Sequence, residues 1–183
     1  MSSNRVTAQR VVAGVLLLAI SLVARSSAAE PRTLKDQLAG VWALVAFESI
    51  DSAGRKVPSM EGGDLKGRLV LTCDGQLLVQ MIAEIPKLAS ENRLKTTSAE
   101  DHAIAHGVLS FFGTYTLSEA EQLIKFRIER STFPNQATGK DASRAVILAG
   151  DELRFENPTR MAGGNVVLAW KRITALSSPG CGR

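Results

Sequence analysis

From residue 40 to residue 173 the sequence is cut into eight strand-length apolar segments by turn-forming residues, and this punctuation constrains the fold most. The first, 40–50, is apolar, β-branched and aromatic, and stops at Asp51-Ser52-Ala53-Gly54. Segments 67–72 and 76–82 flank Asp74-Gly75, a strong short-range hairpin signal. Segments 111–117 and 122–130 follow, the latter alternating apolar and polar residues until Phe133-Pro134-Asn135 breaks it. Segments 144–148 and 152–156 flank Ala149-Gly150-Asp151, and 165–173 is the last. One helix is expected between the third and fourth strands, over about 98–109. Ser98 is its candidate cap, and Glu100 and Asp101 lie in the first turn, where the helix dipole favours acids. A meander of this size must hide its edges, and closing it on itself does so. The expected fold is mainly β: a single antiparallel eight-stranded up-and-down barrel with a short helical insertion. A β-sandwich is the competing architecture. An eight-stranded barrel is filled by side chains or holds one small ligand.

The first 29 residues are set apart. Arg5 and Arg10 precede the apolar run from Val11 to Ala24, and Ser26-Ser27-Ala28-Ala29 supplies small residues for cleavage after Ala28 or Ala29. The run is too short for a spanning helix, so residues 1–29 are expected to be a removable export signal rather than an anchor. The segment also carries three of the chain's 22 Lys and Arg residues and none of its 18 acids. Without it, 19 bases face 18 acids, so the basic balance belongs to the leader and gives no argument for a nucleic-acid partner. The expected organisation is a polar lead-in at 30–37, a barrel at 38–174 and a Ser-, Pro- and Gly-rich tail at 175–183. No integral membrane segment is expected once the leader is removed, and the location is then periplasmic or secreted.

Cys73 and Cys181 are the only cysteines. In an oxidising compartment they can pair, tying the tail to the barrel, or remain two thiols. Strand parity nominates the interior residues. If Trp42 faces inward, so do Leu44, Ala46, Glu48 and Ile50. Glu48 is then a carboxylate at the barrel mouth, either a ligand contact or general acid/base, or a rim acid paired with an arginine. Phe111, Gly113, Tyr115 and Leu117 share a face, with Gly113 leaving room in the interior. Gln80 interrupts an apolar arm and is a candidate inward hydrogen-bonding group. Arg127 and Arg144 are candidate partners for Glu48 or for an acidic ligand, or solvated outer residues. His102 and His106 have metal-ligand spacing but lack the glutamate of H-E-x-x-H, and are read as surface histidines on a lid, with no metal site and no cofactor. There is no G-x-S-x-G elbow and no phosphate loop.

Gly40-Val41-Trp42 and Trp170-Lys171-Arg172 match the G-x-W of lipocalins and the basic residue that closes the barrel floor over its tryptophan. Further matching pieces are Leu38–Glu48, Gly67–Gly75, Phe111–Tyr115, Phe133–Asn135, Gly150–Leu153 and Leu168–Arg172. Together they resemble the bacterial lipocalin-like domain family of small barrels. That pattern has Pro where this chain has Cys73, and histidines where it has Phe126 and Arg127, so chemistry needing those imidazoles is not expected. The resemblance implies a barrel with Gly40, Trp42 and Arg172 at its floor. By analogy with other such barrels, it implies a small hydrophobic or amphipathic ligand. The leading functional expectation is therefore an exported, non-catalytic binding barrel lidded by residues 86–109. The alternatives are an isomerase, cyclase or hydratase using Glu48 and Tyr115 for proton transfer, and a fully packed structural or interaction domain.

Overall fold

A computed structural model describes residues 32–137, 139–157 and 165–176. The leader, Cys181 and the tail from residue 177 lie outside the described residues. Nine strands form one sheet: β1 (Gly40–Ile50), β2 (Lys56–Val57), β3 (Lys66–Leu71), β4 (Gln76–Ile82), β5 (Val108–Ser118), β6 (Leu123–Ser131), β7 (Ala142–Ala149), β8 (Glu152–Glu156) and β9 (Asn165–Ala175). Every pairing is antiparallel, and β1 also pairs with β9, so β1 and β3–β9 close an eight-stranded up-and-down barrel. The two-residue β2 is added to the end of β1. The barrel predicted from the turn signals is thus the observed fold, and the sandwich is excluded.

Local chemistry accounts for the helices and turns. Gly75 adopts φ +91° at the β3–β4 turn, a conformation that favours glycine. Helix α1 (Leu34–Leu38) starts at a capping box made by Thr33 and Asp36. Helix α2 (Ser98–Gly107) starts at another, made by Thr97 and Glu100. The cap is therefore Thr97 and not Ser98, because Glu100 stands three residues beyond Thr97 and reaches back to its N–H. Gly107 leads directly into β5, which begins three residues before the expected start.

The core fills one end of the barrel. Leu38, Trp42, Leu69, Leu71, Ile124 and Leu153 are fully buried there. Trp42 donates its indole N–H to the Leu38 carbonyl at 3.0 Å, so α1 plugs this end. The Arg172 guanidinium lies 4.0 Å from the Trp42 ring centroid and donates to the Gln37 carbonyl at 2.8 Å and to Asp151 at 3.0 Å. At Gly40 a Cβ would stand 2.7 Å from the Thr174 carbonyl oxygen and 3.2 Å from Arg172, so glycine leaves the space this floor needs. Cys73 is disulfide-bonded, and its Sγ lies 3.8 Å from the carbonyl oxygen of Leu176.

Candidate functional site

The other end of the barrel is hollow. A cavity of about 380 Å³ is bounded by residues late in β1 and β4 and early in β5, β7 and β9, which the antiparallel alternation brings to one rim. That volume lies within the range of small-molecule sites, so the fully packed alternative is not what the structure contains. The wall is apolar: Phe47, Val79, Met81, Leu109, Phe111, Phe126, Ile128, Phe155, Val166, Leu168 and Trp170. Phe126 and Phe155 meet edge to face at 5.5 Å. The polar lining comes from one sector, with Asn135 and Gln136 on the 3-10 turn (Pro134–Gln136), Lys140 and Asp141 on the following connection, and Arg144 on β7.

Arg144 shares a face of β7 with the buried Val146, and so turns toward the interior. It is half-buried and makes no ion pair among the described residues; its guanidinium donates to the Ser143 carbonyl at 2.8 Å. Burial holds it below the ordinary arginine range. Asp141, the one acid in the lining, is engaged by Arg127 at 3.0 Å. Trp170 is 1% exposed, and its indole N–H has no acceptor among the described residues. The cavity therefore combines an apolar wall with a guanidinium that pairs with no carboxylate among the described residues.

Several sequence-predicted residues lie elsewhere. Glu48 does not line the cavity. The β1–β9 register steps from Leu44↔Trp170 to Ala46↔Ala169, so Val45 is the extra residue of a bulge and is 65% exposed. The bulge inverts the parity counted from Trp42. Phe47 enters the cavity, and Glu48 lies outside it, paired with Lys56 at 2.9 Å. Gln80 is exposed because the inward residues of β4 are Leu77, Val79 and Met81. Arg127 is on the outer surface. Gly113 does not open interior space: a Cβ there would lie 2.0 Å from the Arg127 carbonyl oxygen, beside the register shift that makes Glu129 an extra residue of β6.

Tyr115 is buried but absent from the cavity wall; its hydroxyl donates to the Thr72 carbonyl at 2.7 Å. Burial foremost, then Asp74 and Asp36, pushes its pKa up to about 12. Glu48 and Tyr115 thus do not converge, and the proton-transfer pair expected of an enzyme is not assembled. Of the nominated ligand contacts, the cavity brings together Phe111 and Arg144. Of the 86–109 segment expected as a lid, only Leu109, already in β5, lines the cavity, and the polar lining comes instead from the 3-10 turn, the connection after it and Arg144.

Sequence reading missed a second cluster. Glu61, on the β2–β3 connection, meets His102 at 3.0 Å and His106 at 3.1 Å. These contacts, His102 foremost, hold the Glu61 carboxyl below its usual range.

Among the described residues no helix is long and apolar enough to cross a membrane. A comparison with curated proteins finds no match. Residues 39–173, nearly the whole closed barrel, match the family described as lipocalin-like domain, and the chain belongs to that family.

Proposed function

We propose that this barrel binds a small amphipathic molecule with an apolar body and an acidic head, without turning it over. The observation that carries this reading is Arg144, a partly desolvated guanidinium on the wall of a largely apolar cavity, with no ion pair among the described residues. Desolvating a charge is costly unless a counter-charge or polar groups replace the lost water. A ligand carboxylate would supply the counter-charge through paired N–H···O bonds. Contact with the Phe47, Phe111, Phe126 and Phe155 side of the cavity would add roughly 0.8 kcal/mol for each methylene buried. The Trp170 indole offers one further donor.

We further propose that residues 1–29 direct export and are removed, so that the barrel meets its ligand outside the cytoplasm. Native mass spectrometry of the protein recovered from the cells that produce it tests both statements. The expected findings are a bound small molecule that extracts as an acid, a chain beginning after Ala28 or Ala29, and a mass two hydrogens short, from a Cys73–Cys181 bridge. A consistently bare protein, or a neutral passenger, contradicts the binding reading. An intact N-terminus contradicts export.

A further inference from the structure

We propose that Glu61, His102 and His106 form a surface site for a borderline divalent metal ion, zinc or its neighbours copper and nickel, separate from the barrel cavity. The two histidines stand one turn apart on α2, which puts both imidazoles on one face of the helix. Their rings stack, with centroids 4.0 Å apart and planes 22° apart. Glu61 faces both at once, with Oε2 3.0 Å from His102 Nε2 and Oε1 3.1 Å from His106 Nδ1. The three donor atoms lie within 4.8 Å of one another. Ligands bound 2.0–2.2 Å from a tetrahedral zinc stand roughly 3.3 Å apart, close to the separation of the Glu61 oxygens from both imidazole nitrogens.

The backbone holds the two segments together independently of these side chains. Glu61 N–H donates to the His106 carbonyl at 3.2 Å, and Ala83 N–H to the Gly107 carbonyl at 2.8 Å. Gly62 adopts φ +112°, and a Cβ there would stand 2.8 Å from that of Ala83, so glycine is what lets the loop lie against the Ala83–Glu84 segment, which is itself bonded to Gly107. Two imidazole nitrogens and one carboxylate select a borderline ion over magnesium or calcium, which take oxygen ligands. All three side chains are about half exposed, which leaves the remaining coordination positions to water or to a donor from outside. None of the three lines the cavity, so the site stands or falls apart from the ligand reading.

The test is calorimetric titration of the tag-free protein with zinc, repeated with magnesium, and with the variants Glu61→Gln, His102→Ala and His106→Ala. These are the chain's only two histidines, so their nuclear magnetic resonance signals report this site alone. The expected result is one equivalent of zinc bound, with both imidazoles perturbed. Each variant should bind at least about tenfold more weakly while keeping the circular dichroism of the parent, and magnesium should give no heat of binding. Absence of a one-to-one zinc isotherm overturns the proposal. So does zinc binding that survives the two histidine substitutions.

Discussion

Arg144 and Tyr115 are both partly withdrawn from water, and they differ in what replaces it. Tyr115 has the Thr72 carbonyl as a neutral acceptor, so its uncharged form fits the site and ionisation there is unfavourable. Its folded pKa of about 12 stands above the value of about 10 expected in the unfolded chain. A raised folded pKa means that the stabilisation is complete below pH 10 and is lost as pH rises through 12. Tyr115 is the only tyrosine, so phenolate absorbance titrates it alone. The expected midpoint in the folded protein is near 12, and a midpoint near 10 would place the hydroxyl in water. Arg144 has no ion pair among the described residues, and it is this open charge on which the proposed ligand contact rests. This distinction was only half legible in the sequence. Arg144 and Arg127 look alike there, both being cations on alternating strands. What separates them is Asp141, which engages Arg127 across the β6–β7 connection.

At the scale of elements, bulges decide what each strand presents. The eight strands and the Asp74-Gly75 hairpin were readable because turn residues and apolar runs announce them. The bulge at Val45 was not, because valine suits a regular strand as well as a bulged one and no local composition marks the extra residue. One unseen residue therefore moved Glu48 from the interior to an exposed pair with Lys56. Gln80 was misread for a related reason. The outward face of β4 also carries Leu78, 44% exposed, and Ile82, 39% exposed, so apolar residues on both faces mask the alternation. Glu61 and His102 meet across 41 residues of sequence, a juxtaposition that spacing cannot announce. The irregularity between β5 and β6 gives a direct prediction. Gly113→Ala would drive a methyl into the Arg127 carbonyl, a backbone clash that side-chain movement cannot relieve. The expected cost is about 3 kcal/mol, seen as a melting temperature lower by roughly 5–10 °C. An unchanged melting temperature would mean that the strands do not approach as closely as described.

In the whole molecule the two ends of the barrel have different tasks. One end is closed by α1, Trp42 and Arg172 and holds fully buried side chains such as Leu38, Leu69 and Leu71. The other has an apolar wall, a polar sector and about 380 Å³ of space. Stability can thus reside at the floor while the rim remains hollow. On the proposed reading Arg144 selects an acidic head inside this cavity. The most direct measurement compares dodecanoate with dodecanol, two probes with the same apolar tail, by the change in tryptophan fluorescence as each is titrated into the parent protein and into Arg144→Met. The parent should prefer dodecanoate by at least about tenfold, since a charge-assisted contact contributes roughly 1.5–3 kcal/mol. In Arg144→Met that preference should disappear while dodecanol binding persists. Equal affinity of the parent for the two probes, or a preference for dodecanoate that survives Arg144→Met, would contradict the account.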